Sequence, residues 1–132
     1  MVHYPNSYKF GKIEEALILP IISKHFGREI KAFEERYAKH DFYCEKYNYE
    51  VKSRTNTLGK YSTTMITEDK VAGDKKLMFI FNFVDCLAVI EYDEERFAKY
   101  ERQMFSRAQI ETDEKVHIFI PIKDLEIIKR KN

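Results

Sequence analysis

The chain has few of the residues that would staple or anchor it from outside. Cys44 and Cys86 are too few for a disulfide framework or a zinc cluster, and the four histidines lie far apart in sequence. Both thiols are read as reduced and buried. An excess of one charge is missing too, since 23 Lys and Arg face 22 Asp and Glu for a net charge of +1. That balance excludes the global basic field of a non-specific DNA coat, so any nucleic-acid contact has to be local. Repeats and low-complexity linkers are absent. There is no signal peptide, and no apolar run approaches the length of a membrane span, so we expect an intracellular protein with no membrane contact. Aromatic residues, by contrast, are plentiful, with ten Phe and nine Tyr making up 14% of 132 residues. A chain of that length and content forms one packed domain over 1–132, with a core of its own.

The stretch from Asp41 to Arg54, Asp-Phe-Tyr-Cys-Glu-Lys-Tyr-Asn-Tyr-Glu-Val-Lys-Ser-Arg, organises the rest. Strand formers on both sides of Lys46, Tyr47 and Asn48 predict a hairpin turning at those three residues. Strand side chains alternate, so Glu50 and Lys52 share a face while Val51 points the other way. A reversal near Lys46 returns Asp41 to the neighbourhood of Glu50 and Lys52. Two carboxylates and a lysine at one hairpin end suit a magnesium ion and a phosphodiester, because magnesium takes a few hard oxygen ligands and keeps its waters. The plainer alternative is a surface hairpin with a cross-strand Glu/Lys pair, worth at most about 1 kcal/mol.

Asp41, eight intervening residues, then Glu50-Val51-Lys52 resembles the core motif of the PD-(D/E)XK nuclease superfamily, which includes restriction endonucleases, archaeal Holliday-junction resolvases and phage exonucleases. The residue before Asp41 is His40 rather than the family's Pro. The resemblance implies that Asp41 and Glu50 bind Mg²⁺ (with Mn²⁺ able to substitute), joined by the backbone carbonyl of Val51, and that Lys52 assists the attacking water. It implies DNA as the substrate and a restriction-endonuclease-like fold. Small duplex-cutting enzymes often pair their active sites, so a homodimer is expected by the same analogy.

Residues 8 to 26 read as the first helix, with an apolar stripe of Ile13, Leu17, Ile18, Ile21 and Ile22 and a kink or break at Pro20. Glu15 lies on the line of Leu19, Ile22 and Phe26, and Glu14 lies equally near Leu17, Ile18 and Ile21, so periodicity does not choose between them. The superfamily often places a glutamate of its first helix in the metal site, shortly after a glycine. Gly11-Lys-Ile-Glu-Glu resembles that arrangement and selects Glu15. The alternative is two solvated glutamates of a helix's first turn.

Residues 29 to 39 form either a second helix, with Ile30, Phe33 and Tyr37 inward, or an irregular approach to the first strand. Ser53 to Ile66 reads as a polar loop in which Arg54 and Lys60 are candidate phosphate contacts. The Tyr-Glu-Val-Lys-Ser-Arg and Tyr-Ser-Thr-Thr-Met-Ile-Thr-Glu-Asp-Lys stretches resemble small viral and phage members of the superfamily, which adds Thr63, Thr64 and Lys70 as substrate-binding candidates. Residues 77 to 92 are two apolar strands joined at Val84-Asp85, with Asn82 as a polar exception. A short helix capped by Asp93 follows, then a strand over 102 to 107, a charged loop over 109 to 115, and a strand from Val116 with Pro121 at an edge. Asp124 is expected to cap a terminal helix ending in a frayed basic tail. The order of elements predicts an α/β or α+β layer fold around a mixed sheet of about five strands flanked by helices. The function expected is metal-dependent DNA endonuclease. The competing reading is a non-catalytic nucleic-acid-binding or protein-interaction module.

Overall fold

Helix α1 runs from Tyr4 to Phe26 and stops at Gly27 for a local reason. Gly27 takes φ 65, and the amides of Gly27 and Arg28 turn back to the carbonyls of Lys24 and Ser23 at 3.3 and 3.1 Å. This is the left-handed glycine cap that closes a helix C-terminus. Pro20 lies within the helix and does not split it. The ring sits on the exposed side, while Ile18 and Ile22 anchor the opposite face in the core. The buried line is narrower than the sequence predicts. Ile13 and Leu17 are 59% and 62% exposed, because the helix is turned so that the Glu15, Ile22 and Phe26 side meets the sheet.

The computed structural model describes residues 4–35, 37–106 and 114–131. After α1 come β1 (Lys31–Ala32), β2 (Phe42–Tyr43), β3 (Tyr47–Ser53), β4 (Thr63–Thr67), β5 (Lys76–Asn82) and β6 (Cys86–Glu91). Helix α2 (Glu94–Ala98), β7 (Glu101–Ser106), β8 (Glu114–Pro121) and β9 (Glu126–Arg130) complete the chain. A six-stranded sheet has the order β1-β2-β3-β5-β6-β9, and a three-stranded sheet the order β4-β8-β7. The pairing of β3 with β5 is parallel and the other pairings are antiparallel. The fold is α+β, with a mixed central sheet.

Alternation along β3 divides the core. Tyr47, Tyr49 and Val51 join Ile18 and Ile22 of α1, together with Met78 and Ile80 of β5. On the other face Phe79, Phe81 and Phe83 pack against Ile66 of β4, Ile118 and Ile120 of β8, and Phe97 of α2. The second face is thus covered mainly by a sheet rather than by a helix. Asp93 caps α2 as expected, accepting the Arg96 amide at 3.1 Å.

Several expectations need correction. The hairpin turns at Cys44 to Lys46, and Tyr47 and Asn48 already belong to β3, where Tyr47 joins the core. Of the two courses left open for residues 29 to 39, the described residues 29–35 and 37–39 form no helix, and Lys31–Ala32 is strand β1. Ile30 is buried there, but Tyr37 is 88% exposed. The loop read over 53 to 66 ends early, because Thr63 to Thr67 pair with β8. The charged loop yields Glu114 and Lys115 to β8, and residues 107–113 lie outside the described residues. The terminal helix is instead β9, paired with β6, since Ile127 and Ile128 feed opposite core clusters and only a strand sends neighbours to opposite faces. The basic tail is tied down through the Lys131 amide, which donates to the Asp85 carbonyl at 2.9 Å. Cys86 is buried and Cys44 half-buried, and both are free. Among the described residues no helix is long and apolar enough to cross a membrane.

Candidate active site

The hairpin brings its two acids together through backbone geometry. Phe42 pairs with Tyr49 across β2 and β3, so Asp41 sits opposite the start of the Glu50-Val51-Lys52 run. The Asp41 amide donates to the Tyr49 carbonyl at 3.0 Å, and its side-chain Oδ2 accepts the Val51 amide at 2.7 Å. The carboxylate is therefore held at a fixed place by the chain it faces, with a short charge-assisted bond.

Glu50 is 3% exposed and lies on the β3 face opposite α1. Its Oε2 is 3.2 Å from Lys52 Nζ and 3.5 Å from Lys70 Nζ, while the buried Oε1 has no protein partner. Burial, reinforced by the Asp41 charge, pushes the Glu50 carboxyl up to about 7, against the opposing pull of the two lysines. Lys70 comes from the short 3-10 turn Glu68–Lys70 directly after β4. That turn is held by His40, whose Nε2 donates to the Lys70 carbonyl at 2.9 Å, and by Lys70 Nζ itself, 3.4 Å from the Lys39 carbonyl.

The two glutamates of α1 part company. Glu15 is half-buried and faces Asp41; burial first, then the Asp41 charge, raises its carboxyl, and Lys12 at 3.4 Å works against both. Glu14 accepts from Asn82 Nδ2 at 3.0 Å. The same Asn82 nitrogen reaches Ser53 Oγ at 3.1 Å, its oxygen accepts from Lys131, and Asn82 is a satisfied core amide.

Among the described residues no group of three or more His, Cys, Asp or Glu side chains gathers closely enough to hold a metal. The carboxylates stand as neighbouring pairs, Glu15 with Asp41 and Asp41 with Glu50. Their donor chemistry fits a divalent cation that retains waters. They are hard oxygens of like charge, one of them buried and unpartnered, and magnesium is commonly held by one or two carboxylates.

No family model, curated protein or solved structure matches the chain.

The remaining candidates lie further along β3 and on β4. Arg54 continues the β3–β5 ladder, its amide donating to the Asn82 carbonyl at 2.9 Å. Its guanidinium crosses to the second sheet, where Nε donates to Thr64 Oγ1 at 3.0 Å and Nη2 donates to the Met65 carbonyl. Thr64 is buried. Arg54, Thr63 and Thr64 line a cleft of about 420 Å³ together with Asn56, Tyr61, Met65 and Phe119. Lys60 is exposed at the cleft's approach, with Nζ 5.6 Å from the Tyr61 ring centre. Sequence reasoning treated His40 only as a departure from a motif. Its tie to Lys70 has no local signal, because the two residues meet only in the folded chain.

Proposed function

We propose that the chain is a metal-dependent DNA nuclease that hydrolyses phosphodiester bonds at the Asp41, Glu50 and Lys52 site. The observation that carries this reading is Glu50, a buried carboxylate with one unpartnered oxygen, beside a second carboxylate and between two lysines. Natural proteins rarely bury such a charge without a use for it. Asp41, Glu50 and the Val51 carbonyl would hold Mg²⁺ or Mn²⁺, with Glu15 supporting Asp41. Bound there, the ion supplies a water of lowered pKa and neutralises charge on the scissile phosphate. Lys52 Nζ lies 3.2 Å from Glu50 Oε2, where it would orient the hydrolytic water. Lys70 adds a second cation for the phosphate oxygens. Asp41 needs no rearrangement, because the Val51 amide already holds it. With DNA as substrate the protein works inside a cell, and a homodimer would let two such sites address two strands.

A second reading draws on the same ion pairs. Lys52 and Lys70 both pair with Glu50, as they would in a non-catalytic nucleic-acid-binding or protein-interaction module. The test is cleavage of labelled duplex, single-stranded and four-way-junction DNA with Mg²⁺, Mn²⁺ or EDTA, using wild type, Glu50→Ala and Lys52→Ala, each checked for folding by circular dichroism. Metal-dependent cutting abolished by both substitutions supports the nuclease. Folded proteins that bind DNA salt-sensitively and cut nothing support the binder.

A further inference from the structure

The cleft beside Arg54 differs in character from the carboxylate site. Its lining mixes aromatic and apolar side chains, Tyr61, Phe119 and Met65, with polar ones, Arg54, Asn56, Thr63 and Thr64. Tyr61 is 58% exposed, with Lys60 Nζ 5.6 Å from its ring centre, so a base stacked on the ring would carry its phosphate close to a cation. Arg54 gives two of its three nitrogens to Thr64 and Met65, which makes it a rigid wall rather than a mobile hook. Asn56 donates through Nδ2 to the Thr57 carbonyl at 2.9 Å, and its side-chain carbonyl is an acceptor. An aromatic and apolar lining beside hydrogen-bonding groups suits a nucleobase better than a bare phosphate. A cleft of about 420 Å³ lies within the usual range of small-ligand sites, about 300–1,000 Å³.

The cleft is also aligned with the chemistry. Glu50 and Lys52 of β3 and Arg54 just beyond its end follow one another at two-residue steps, so Arg54 lies roughly 13 Å from Glu50 with Lys52 between them. β4 accompanies this line, from Thr64 at Arg54 to the turn that delivers Lys70 to Glu50. We propose that the cleft takes one unpaired base of the substrate strand, stacked on Tyr61, while the backbone runs over Lys52 toward Glu50. This rests on the nuclease reading and deepens it. The preferred substrate is then single-stranded DNA, or DNA with an unpaired strand next to the scissile bond, because a base inside a duplex offers no open ring face.

The test uses the full chain and a short fluorescein-labelled oligothymidylate beside a blunt duplex of equal length. Binding is read in EDTA and cleavage in Mg²⁺, for wild type, Tyr61→Ala and Tyr61→Phe. The expected result is that Tyr61→Ala weakens oligothymidylate binding about tenfold or more, that Tyr61→Phe keeps it, and that duplex binding changes in neither. Equal oligothymidylate binding by wild type and Tyr61→Ala overturns the cleft assignment, whatever the cleavage assay gives. Tyr61-dependent binding without metal-dependent cleavage sustains the cleft and removes the nuclease reading, so the two failures are distinguishable.

Discussion

Lys70 Nζ lies 3.5 Å from Glu50 Oε2, although Lys70 closes the turn after β4 and Glu50 is embedded in the central sheet. The contact joins the two sheets at the candidate site, and it places a second cation where β3 alone supplies one. Removing it leaves Glu50 with less to offset its burial. We therefore expect Lys70→Ala to raise the Glu50 pKa further and to move the acid limb of the cleavage pH profile upward, while Lys70→Arg keeps it near wild type. A profile unchanged by Lys70→Ala counts against a role for this lysine.

Glu50 also makes a prediction about stability without metal. Its folded pKa stands at about 7, above the ordinary value of 4.5, so the folded state binds the proton more tightly than the unfolded state does. The contribution is neutral below pH 4.5, turns unfavourable as pH rises through the interval, and reaches its full cost above pH 7, about 3 kcal/mol by linkage. Thermal unfolding in EDTA should show Glu50→Gln gaining stability over wild type at pH 8 and little at pH 4. A gain equal at both values argues against an ionised, strained Glu50.

Glu14 and Glu15 are neighbours with different partners, and substitution separates them. Glu15→Gln should raise the Mg²⁺ concentration needed for half-maximal cleavage, since Glu15 adds negative charge beside Asp41. Glu14→Ala should leave that concentration unchanged and cost about 1 kcal/mol in urea unfolding through the lost acceptor for Asn82. A Mg²⁺ requirement unchanged in Glu15→Gln would remove Glu15 from the metal site.

Arg54 bridges β3 to β4, and its half-buried guanidinium is drawn below its ordinary pKa by burial. Arg54→Ala should cost about 1–3 kcal/mol by chemical denaturation, with Arg54→Lys recovering little, because an ammonium lacks the fork that reaches Thr64 and Met65 together. Loss of DNA binding at full stability would instead make Arg54 chiefly a substrate contact.

The parts legible in the sequence were those that local chemistry decides. The alternation of Val51 against Glu50 and Lys52 announced the faces of β3. The run over 77 to 92 announced β5 and β6, and Asp93 announced the start of α2. The closeness of Asp41 to the Glu50-Val51-Lys52 run needed only a hairpin and the period of a strand. These outcomes follow from side-chain direction and hydrogen-bond capacity within a few residues, which a chain carries wherever it goes.

Tertiary structure decided what needed a partner from elsewhere. Whether Glu14 or Glu15 meets Asp41 depends on the rotation of α1 against the sheet, which the buried area of Ile18 and Ile22 sets and a symmetric periodicity does not. Residues 126 to 130 became a strand because β6 offered an open edge and both core clusters needed an isoleucine, not because of local propensity. The turn carrying Lys70 reaches Glu50 because β4 pairs with β8 and His40 fastens the turn. Long-range contacts such as these are set by surface that is removed from water only once the whole chain has packed, so no short window of sequence contains them.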